Sequence, residues 1–103
     1  MPDQYNRTTE AELSEVALRI MSERTNGQVT FAELIAEIPR RILLTEEDRE
    51  QSQTRPAEEV WEQRVRNMKS HKNAEGNIVA EGYATEIPNG LAITDAGRRR
   101  AAR

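Results

Sequence analysis

Basic and amide side chains are concentrated in one nine-residue stretch in the second half of the chain. The stretch contains Arg64, Arg66, Asn67, Lys69, Ser70 and Lys72. Arginine offers paired donors that match a guanine edge or a phosphate, and asparagine can pair with adenine. These residues therefore predict a surface that binds double-stranded DNA. The alternative is an ordinary solvated helix face, in which Glu62 and Arg66 form an i,i+4 ion pair.

The chain offers little else for catalysis or metal binding. It has one histidine, His71, and no cysteine. A catalytic base needs a carboxylate to orient it, and Glu75 is the only one close in sequence. A partly exposed histidine at a helix end is the favoured interpretation. Without thiolates or an Asp-rich loop, we expect no metal, no cofactor and no enzymatic activity.

Charge is distributed unevenly along the chain. The 103 residues, with a net charge of −3, suit a single domain. Residues 1–53 hold 6 basic and 11 acidic residues, whereas residues 54–103 hold 9 and 7. An acidic body with a basic face can still bind a polyanion, because phosphate contacts are local. No membrane-spanning run and no secretory signal are visible, so we expect a cytoplasmic protein without a membrane partner.

Two helices are predicted in the first half of the chain. Thr9 and Thr30 each precede a glutamate by three residues, the pattern of a capping box. Apolar residues then recur at helical spacing in both segments. Pro39 is expected to end the second helix, because the residue before a proline avoids the helical region. Residues 39–55 form a long connection, and residues 49–55 are expected to be an exposed loop.

The second half predicts a helix and a hairpin. Pro56 suits the first position of a third helix, which should fade near Ser70 and bury Trp61 in the core rather than offer it for stacking. Residues 78–94 are expected to pair as two strands around a type I′ turn at Asn89-Gly90. Thr94 should cap a last helical turn.

Three helices followed by a β-hairpin is the order of a winged helix. The predicted fold is thus a single α+β winged helix-turn-helix domain over residues 9–98. A flexible lead at residues 1–8 and a frayed basic tail at residues 99–103 flank it. The hairpin tip carries no basic residue, and Glu81 and Glu86 make it mildly repellent to DNA.

Two segments resemble a known family. Trp61–Asn67 and Gly90–Gly97, the latter reading Gly-Leu-Ala-Ile-Thr-Asp-Ala-Gly, resemble the small winged-helix domains at the amino end of bacterial restriction proteins that cut modified DNA. The resemblance covers about residues 9–99. It implies that Arg64, Arg66, Asn67 and Lys69 face DNA. The nuclease activity belongs to a separate domain and does not carry over.

The sequence leaves two functions open. One is a non-catalytic DNA-binding module, accessory to a restriction or regulatory system. The other is a winged helix that binds a partner protein or a second copy of itself, through the first helix or the hairpin, without binding DNA. The acidic hairpin and the acidic first half favour this second hypothesis.

Overall fold

The computed structural model describes residues 6–102 and shows a small α+β protein with four helices and a three-stranded antiparallel sheet. The helices are α1 Glu10–Ser22, α2 Phe31–Arg41, α3 Val60–Ser70 and α4 Asp95–Ala101. The strands are β1 Gln28–Thr30, β2 Ala84–Ile87 and β3 Gly90–Ile93, in the sheet order β1-β3-β2. The structure thus has one helix more than the three that the sequence predicted, and the short strand β1 pairs with β3 ahead of α2.

One hydrophobic core joins the inner faces of three helices and the sheet. Its members include Leu13, Leu18, Ile20, Met21, Val29, Phe31, Leu34, Ile38, Trp61, Val65, Met68, Ile78 and Leu91. Trp61 is only 3% exposed, so the prediction that it packs in the core is confirmed. Leu91 of β3 is also fully buried in this core.

Three predicted N-caps are confirmed. The hydroxyls of Thr9, Thr30 and Thr94 each accept a hydrogen bond from the backbone N–H three residues later. At Thr9 and Thr30, the carboxylate of the capping-box glutamate also accepts a hydrogen bond from the backbone N–H of the threonine itself. These pairings satisfy N–H groups that a helix start otherwise leaves without partners.

The expected helix end at Pro39 is wrong, since α2 continues to Arg41. The proline lies in the last turn, where its missing N–H removes one hydrogen bond. Arg41 holds this turn by donating to Glu23 Oε2 at 2.7 Å and to Glu37 Oε2 at 3.0 Å. The hydrogen bond between Arg41 and Glu23 raises the pKa of Arg41 and lowers the pKa of Glu23.

The expected helix start at Pro56 is wrong as well, because α3 begins at Val60. Before it, Gln51 and Glu59 face each other in an antiparallel bridge. The N–H of Ser52 donates to the carbonyl of Glu58 at 2.8 Å in the same ladder. This extended pairing occupies the backbone that a helix from Pro56 would need.

The first strand of the hairpin is shorter than predicted. Residues 78–83 form turns, and β2 begins only at Ala84. Asn77 Oδ1 accepts hydrogen bonds from the N–H groups of Val79 at 2.7 Å and Ala80 at 3.2 Å. An asparagine side chain that binds its own following backbone favours a turn over a strand.

The hairpin turn also differs from the predicted type I′ turn at Asn89-Gly90. Ile87 pairs with Gly90, so the two central residues are Pro88 and Asn89, with φ of +59° at Asn89. Proline followed by a residue with positive φ is typical of a type II turn. Gly90 is required for a different reason: a Cβ there would lie 2.0 Å from the carbonyl oxygen of Val29. The glycine lets β1 approach β3.

Both ends of the described chain are attached to the fold. Thr8 is buried, in contrast to the flexible lead that the sequence predicted. Arg100, expected in a frayed tail, lies in α4 and forms an ion pair with Glu15 of α1 at 2.6 Å. The rest of the expected lead and tail, residues 1–5 and Arg103, lies outside the described residues.

A buried carboxylate organises the connection between α2 and α3. Asp48 is fully buried. Its oxygens accept hydrogen bonds from the N–H and hydroxyl of Thr8, both at 2.7 Å, and from the N–H of Thr45 at 2.9 Å. Ser52 is also buried, so the expectation of an exposed loop at residues 49–55 is wrong at this residue.

Asp48→Ala should lower the free energy of unfolding by about 2–4 kcal/mol, because buried donors would lose their acceptor. Urea denaturation followed by circular dichroism measures the change. Glu46→Ala is the matched control: its side chain is exposed in the same turn, and the expected change is within about 0.5 kcal/mol. Equal unfolding midpoints for the two variants would show that the carboxylate does not organise the connection.

Candidate functional site

The helix α3 is fixed on its inner side and at its start. Trp61, Val65 and Met68 are buried against the core. At the first turn, Glu62 Oε1 accepts the N–H of Glu59 at 2.9 Å, and the Trp61 indole N–H donates to Glu59 Oε1 at 2.8 Å. With one side and one end held, the outer residues of α3 have defined positions.

The six predicted site residues do not form one surface. Arg64 and Asn67 line a groove of about 550 Å³ together with Arg7. Arg66, Lys69 and Ser70 line a separate groove of about 190 Å³. A helix turns about 100° per residue, so Arg64 and Arg66 point about 160° apart, to nearly opposite sides of α3.

Arg64 contributes to the fold. Its Nη1 donates to the backbone carbonyl of Thr8 at 2.8 Å, next to the buried Asp48. The guanidinium therefore helps to hold the segment before α1. This contact separates Arg64 from the other basic residues that the sequence grouped with it.

Four cations lie on or beside the opposite side of α3, and we call them the cationic strip: Arg66 and Lys69 on the helix, Arg55 before it and Lys72 after it. The first three line the 190 Å³ groove, together with Phe31, Ser70 and Asn89. Lys72 is connected to this group through Glu86, whose Oε1 lies 2.7 Å from Lys72 Nζ. The charge of Lys69 also acts on Glu86. Three of the cations thus share one groove, and Lys72 is connected to them through Glu86.

Arg55 was not among the predicted site residues. It lies before α3 in the sequence, in what was expected to be a plain loop. The bridge between residues 51 and 59 folds this segment back against α3 and brings Arg55 to the groove. No local sequence pattern indicates this approach.

Two carboxylates pair with cations of the strip. Glu58 Oε2 accepts a hydrogen bond from Arg66 Nε, and Glu58 Oε1 lies 3.8 Å from Arg55 Nε. The i,i+4 pair of Glu62 with Arg66 that the sequence suggested is replaced by this contact. At the other end, the hydrogen bond from Lys72 lowers the pKa of Glu86, and the positive charges of Lys72 and Lys69 lower it further.

The tip of the hairpin lies against the protein body. The carbonyl of Asn89 accepts the N–H of Phe31 at 2.8 Å, and both residues line the groove beside Arg66. The hairpin therefore forms one wall of the groove rather than a free arm.

His71 connects two helices. Its Nδ1 lies 2.8 Å from Oε1 of Glu10, so the end of α3 is joined to the start of α1. The carboxylate beside the histidine is therefore Glu10 and not Glu75, the neighbour in sequence. The imidazole is exposed at the helix end, as the sequence predicted.

Within residues 6–102, no group of three or more histidine, aspartate or glutamate side chains is arranged to hold a metal ion. None of the helices in this described range is long and apolar enough to cross a membrane.

Comparison with known proteins identifies no relative. No protein-family model matches the chain, and no curated protein or solved structure is significantly similar to it.

Lys72→Met should move the pKa of the Glu86 carboxyl upward, toward its ordinary value, because the hydrogen bond from Lys72 is the largest cause that lowers it. Lys69→Met is the matched control and should give a smaller rise, since Lys69 acts through its charge alone. Carbon-detected NMR titration of the side-chain carboxyl measures both values. Identical Glu86 titrations in the wild-type and Lys72→Met proteins would contradict this ion pair.

Proposed function

We propose that this protein is a non-catalytic winged-helix module that binds double-stranded DNA through the outer side of α3. The order of the elements supports the winged-helix proposal: α3 is followed by the β2–β3 hairpin, and β1 completes the sheet beside β3. In this proposal α4 is an addition to the winged helix. The 11 residues of α3 give it a length of about 16 Å, or three turns. Its diameter with side chains, about 10–12 Å for any α-helix, suits a major groove about 12 Å wide.

The cationic strip is the observation that carries the proposal. Four basic side chains lie together in a protein whose net charge is −3. Only two carboxylates, Glu58 and Glu86, pair with them among the described residues. Among residues 6–102, Lys69 forms no ion pair, and its side chain is exposed. Such a local excess of positive charge attracts phosphate even when the whole protein is acidic.

The hairpin plays a different part from that of a DNA-contacting wing. Residues 86–90 hold no basic side chain, and Asn89 is bonded to α2. We propose that Arg55 and Lys72, at the two ends of the strip, and Lys69 between them contact the phosphate backbone instead. Arg66 and Ser70 then face the base edges. Arg64 and Asn67, on the other groove, are then not central to binding.

The resemblance to the amino-terminal domains of bacterial restriction proteins extends the proposal. The module would bring DNA to a nuclease or regulator carried by another domain or another chain. A cytoplasmic location, where bacterial DNA lies, is part of the same proposal.

Lys69→Ala should weaken binding to all duplexes alike and reduce the slope of log K against log salt by about 1, because one phosphate contact is lost. Fluorescence anisotropy with a duplex of about 20 base pairs, at several salt concentrations, measures both effects. Arg40→Ala removes another exposed charge, in the last turn of α2, and should leave the slope unchanged. An undetectable affinity of the wild-type protein at low salt would reject the proposal.

A second candidate function is self-association, and one residue favours it. Leu43 is 94% exposed, which is unusual for a leucine in a folded protein. It follows Ile42, which lines a groove of about 270 Å³ with Val16 of α1 and with the charged residues Glu15, Arg19 and Arg41. As this second candidate, we propose that two copies related by a twofold axis place Leu43 of each copy against Val16 and Ile42 of the other.

If this candidate is correct, the wild-type protein should dimerise at high concentration and Leu43→Ser should remain monomeric. Sedimentation equilibrium measures the association. Ala36→Ser is a control for the added hydroxyl, at another exposed residue of α2, and should associate like the wild type. A monomeric wild-type protein at millimolar concentration would exclude self-association through Leu43.

A further inference from the structure

Arg66 is held in a way that leaves one side of its guanidinium available. Arginine has five N–H donors, in a planar fork. The Nε of Arg66 donates to Glu58 Oε2. Among residues 6–102, no acceptor is bonded to its terminal Nη1 and Nη2. The end of the fork therefore remains open in the groove that Phe31 and Asn89 also line.

The carboxylate that holds Arg66 is itself fixed. The N–H of Glu58 donates to the carbonyl of Arg55 at 2.9 Å, and its carbonyl accepts the N–H of Ser52 at 2.8 Å. Its side chain is only 15% exposed, and its Oε1 is buried without a hydrogen bond. A carboxylate with this backbone support and little access to water is suited to orient a cation, as the outer ligands of a binding site do.

We propose that Arg66 recognises guanine in the DNA major groove with its two terminal nitrogens, and that Glu58 is the positioning residue that aims them. This inference rests on the proposed function. Guanine presents two acceptors in the major groove, O6 and N7, which match two parallel N–H donors. Adenine has an amino group in place of O6, so one of the two donors would meet another donor. With Nε held by Glu58, the pair that remains for DNA is Nη1 and Nη2.

The test compares two duplexes of the same sequence, about 20 base pairs long and rich in guanine. In one duplex, 7-deazaguanine replaces every guanine, which removes the N7 acceptor and retains base pairing. The ratio of the two dissociation constants, measured by fluorescence anisotropy, reports contact with N7. For the wild-type protein we expect a preference of about tenfold for the natural duplex. This value is near the lower end of the discrimination that one bidentate contact provides.

Two substitutions of Glu58 separate orientation from charge. Glu58→Ala and Glu58→Gln both remove the negative charge, but only glutamine keeps an oxygen that can accept from Arg66 Nε. We expect Glu58→Ala to reduce the ratio to about 1 and Glu58→Gln to retain most of it. Arg66→Lys keeps the positive charge and loses the fork, so it should also give a ratio near 1 with an unchanged salt slope. This variant tests the inference even if Glu58→Ala does not fold.

The other outcomes are distinct. If Glu58→Ala binds both duplexes more tightly with an unchanged ratio, Glu58 only weakens DNA binding through its negative charge, and the positioning role is overturned. If the wild-type protein binds both duplexes equally, Arg66 does not contact N7, and DNA binding itself stands. If the wild-type protein binds neither duplex, the proposed function fails.

Discussion

The buried carboxylate of Asp48 is the contact on which the rest of the arrangement depends. A carboxylate enclosed by protein must find donors nearby, because its transfer from water is costly. Here the donors come from Thr8, before α1, and from Thr45, after α2. The backbone carbonyl of Asp48 also accepts the N–H of Trp61, in the first turn of α3, at 3.1 Å. One residue therefore joins three parts of the chain that are far apart in sequence.

This junction determines where α3 begins and what lies beside it. After Asp48 the chain pairs Gln51 with Glu59 and returns directly into α3. Glu58, in that return, reaches Arg66 two helical turns away, and Arg55 reaches the same groove. The long connection is thus an ordered element, and it supplies part of the candidate site.

Features that depend on a few neighbouring residues were readable from the sequence. The caps at Thr9, Thr30 and Thr94 need only a hydroxyl and the next turn of backbone, and the core role of Trp61 follows from apolar spacing. The helix end predicted at Pro39 and the helix start predicted at Pro56 were wrong, because distant partners overrode the local preferences of the prolines. The partner is Glu23 near Pro39 and the Gln51–Glu59 bridge near Pro56.

The type of the hairpin turn was predicted wrongly for a similar reason. Its Asn-Gly pair has the residue types of a type I′ turn, but Gly90 is required by the close approach of β1, which no short window of sequence shows.

The candidate site was predictable only in part. The basic composition of α3 is visible in the sequence, and Arg66, Lys69 and Lys72 do lie on one strip. Arg64 departs from it because of helix phase and because Thr8 supplies an acceptor. Arg55 and Glu58 could not have been foreseen, since they reach the groove through tertiary pairing rather than through helical spacing.

The short ladder between residues 51 and 59 has a consequence for any attempt to move this surface to another scaffold. An isolated peptide with the sequence of α3 would lack both Glu58 and the backbone that supports it, so Arg66 would sample many rotamers. Transplanting the pair of Glu58 and Arg66 requires at least the segment from Asp48 to Ser70 as one piece. The smallest portable unit for this pair is therefore a folded connection with its helix, and homologous proteins should tolerate few insertions there.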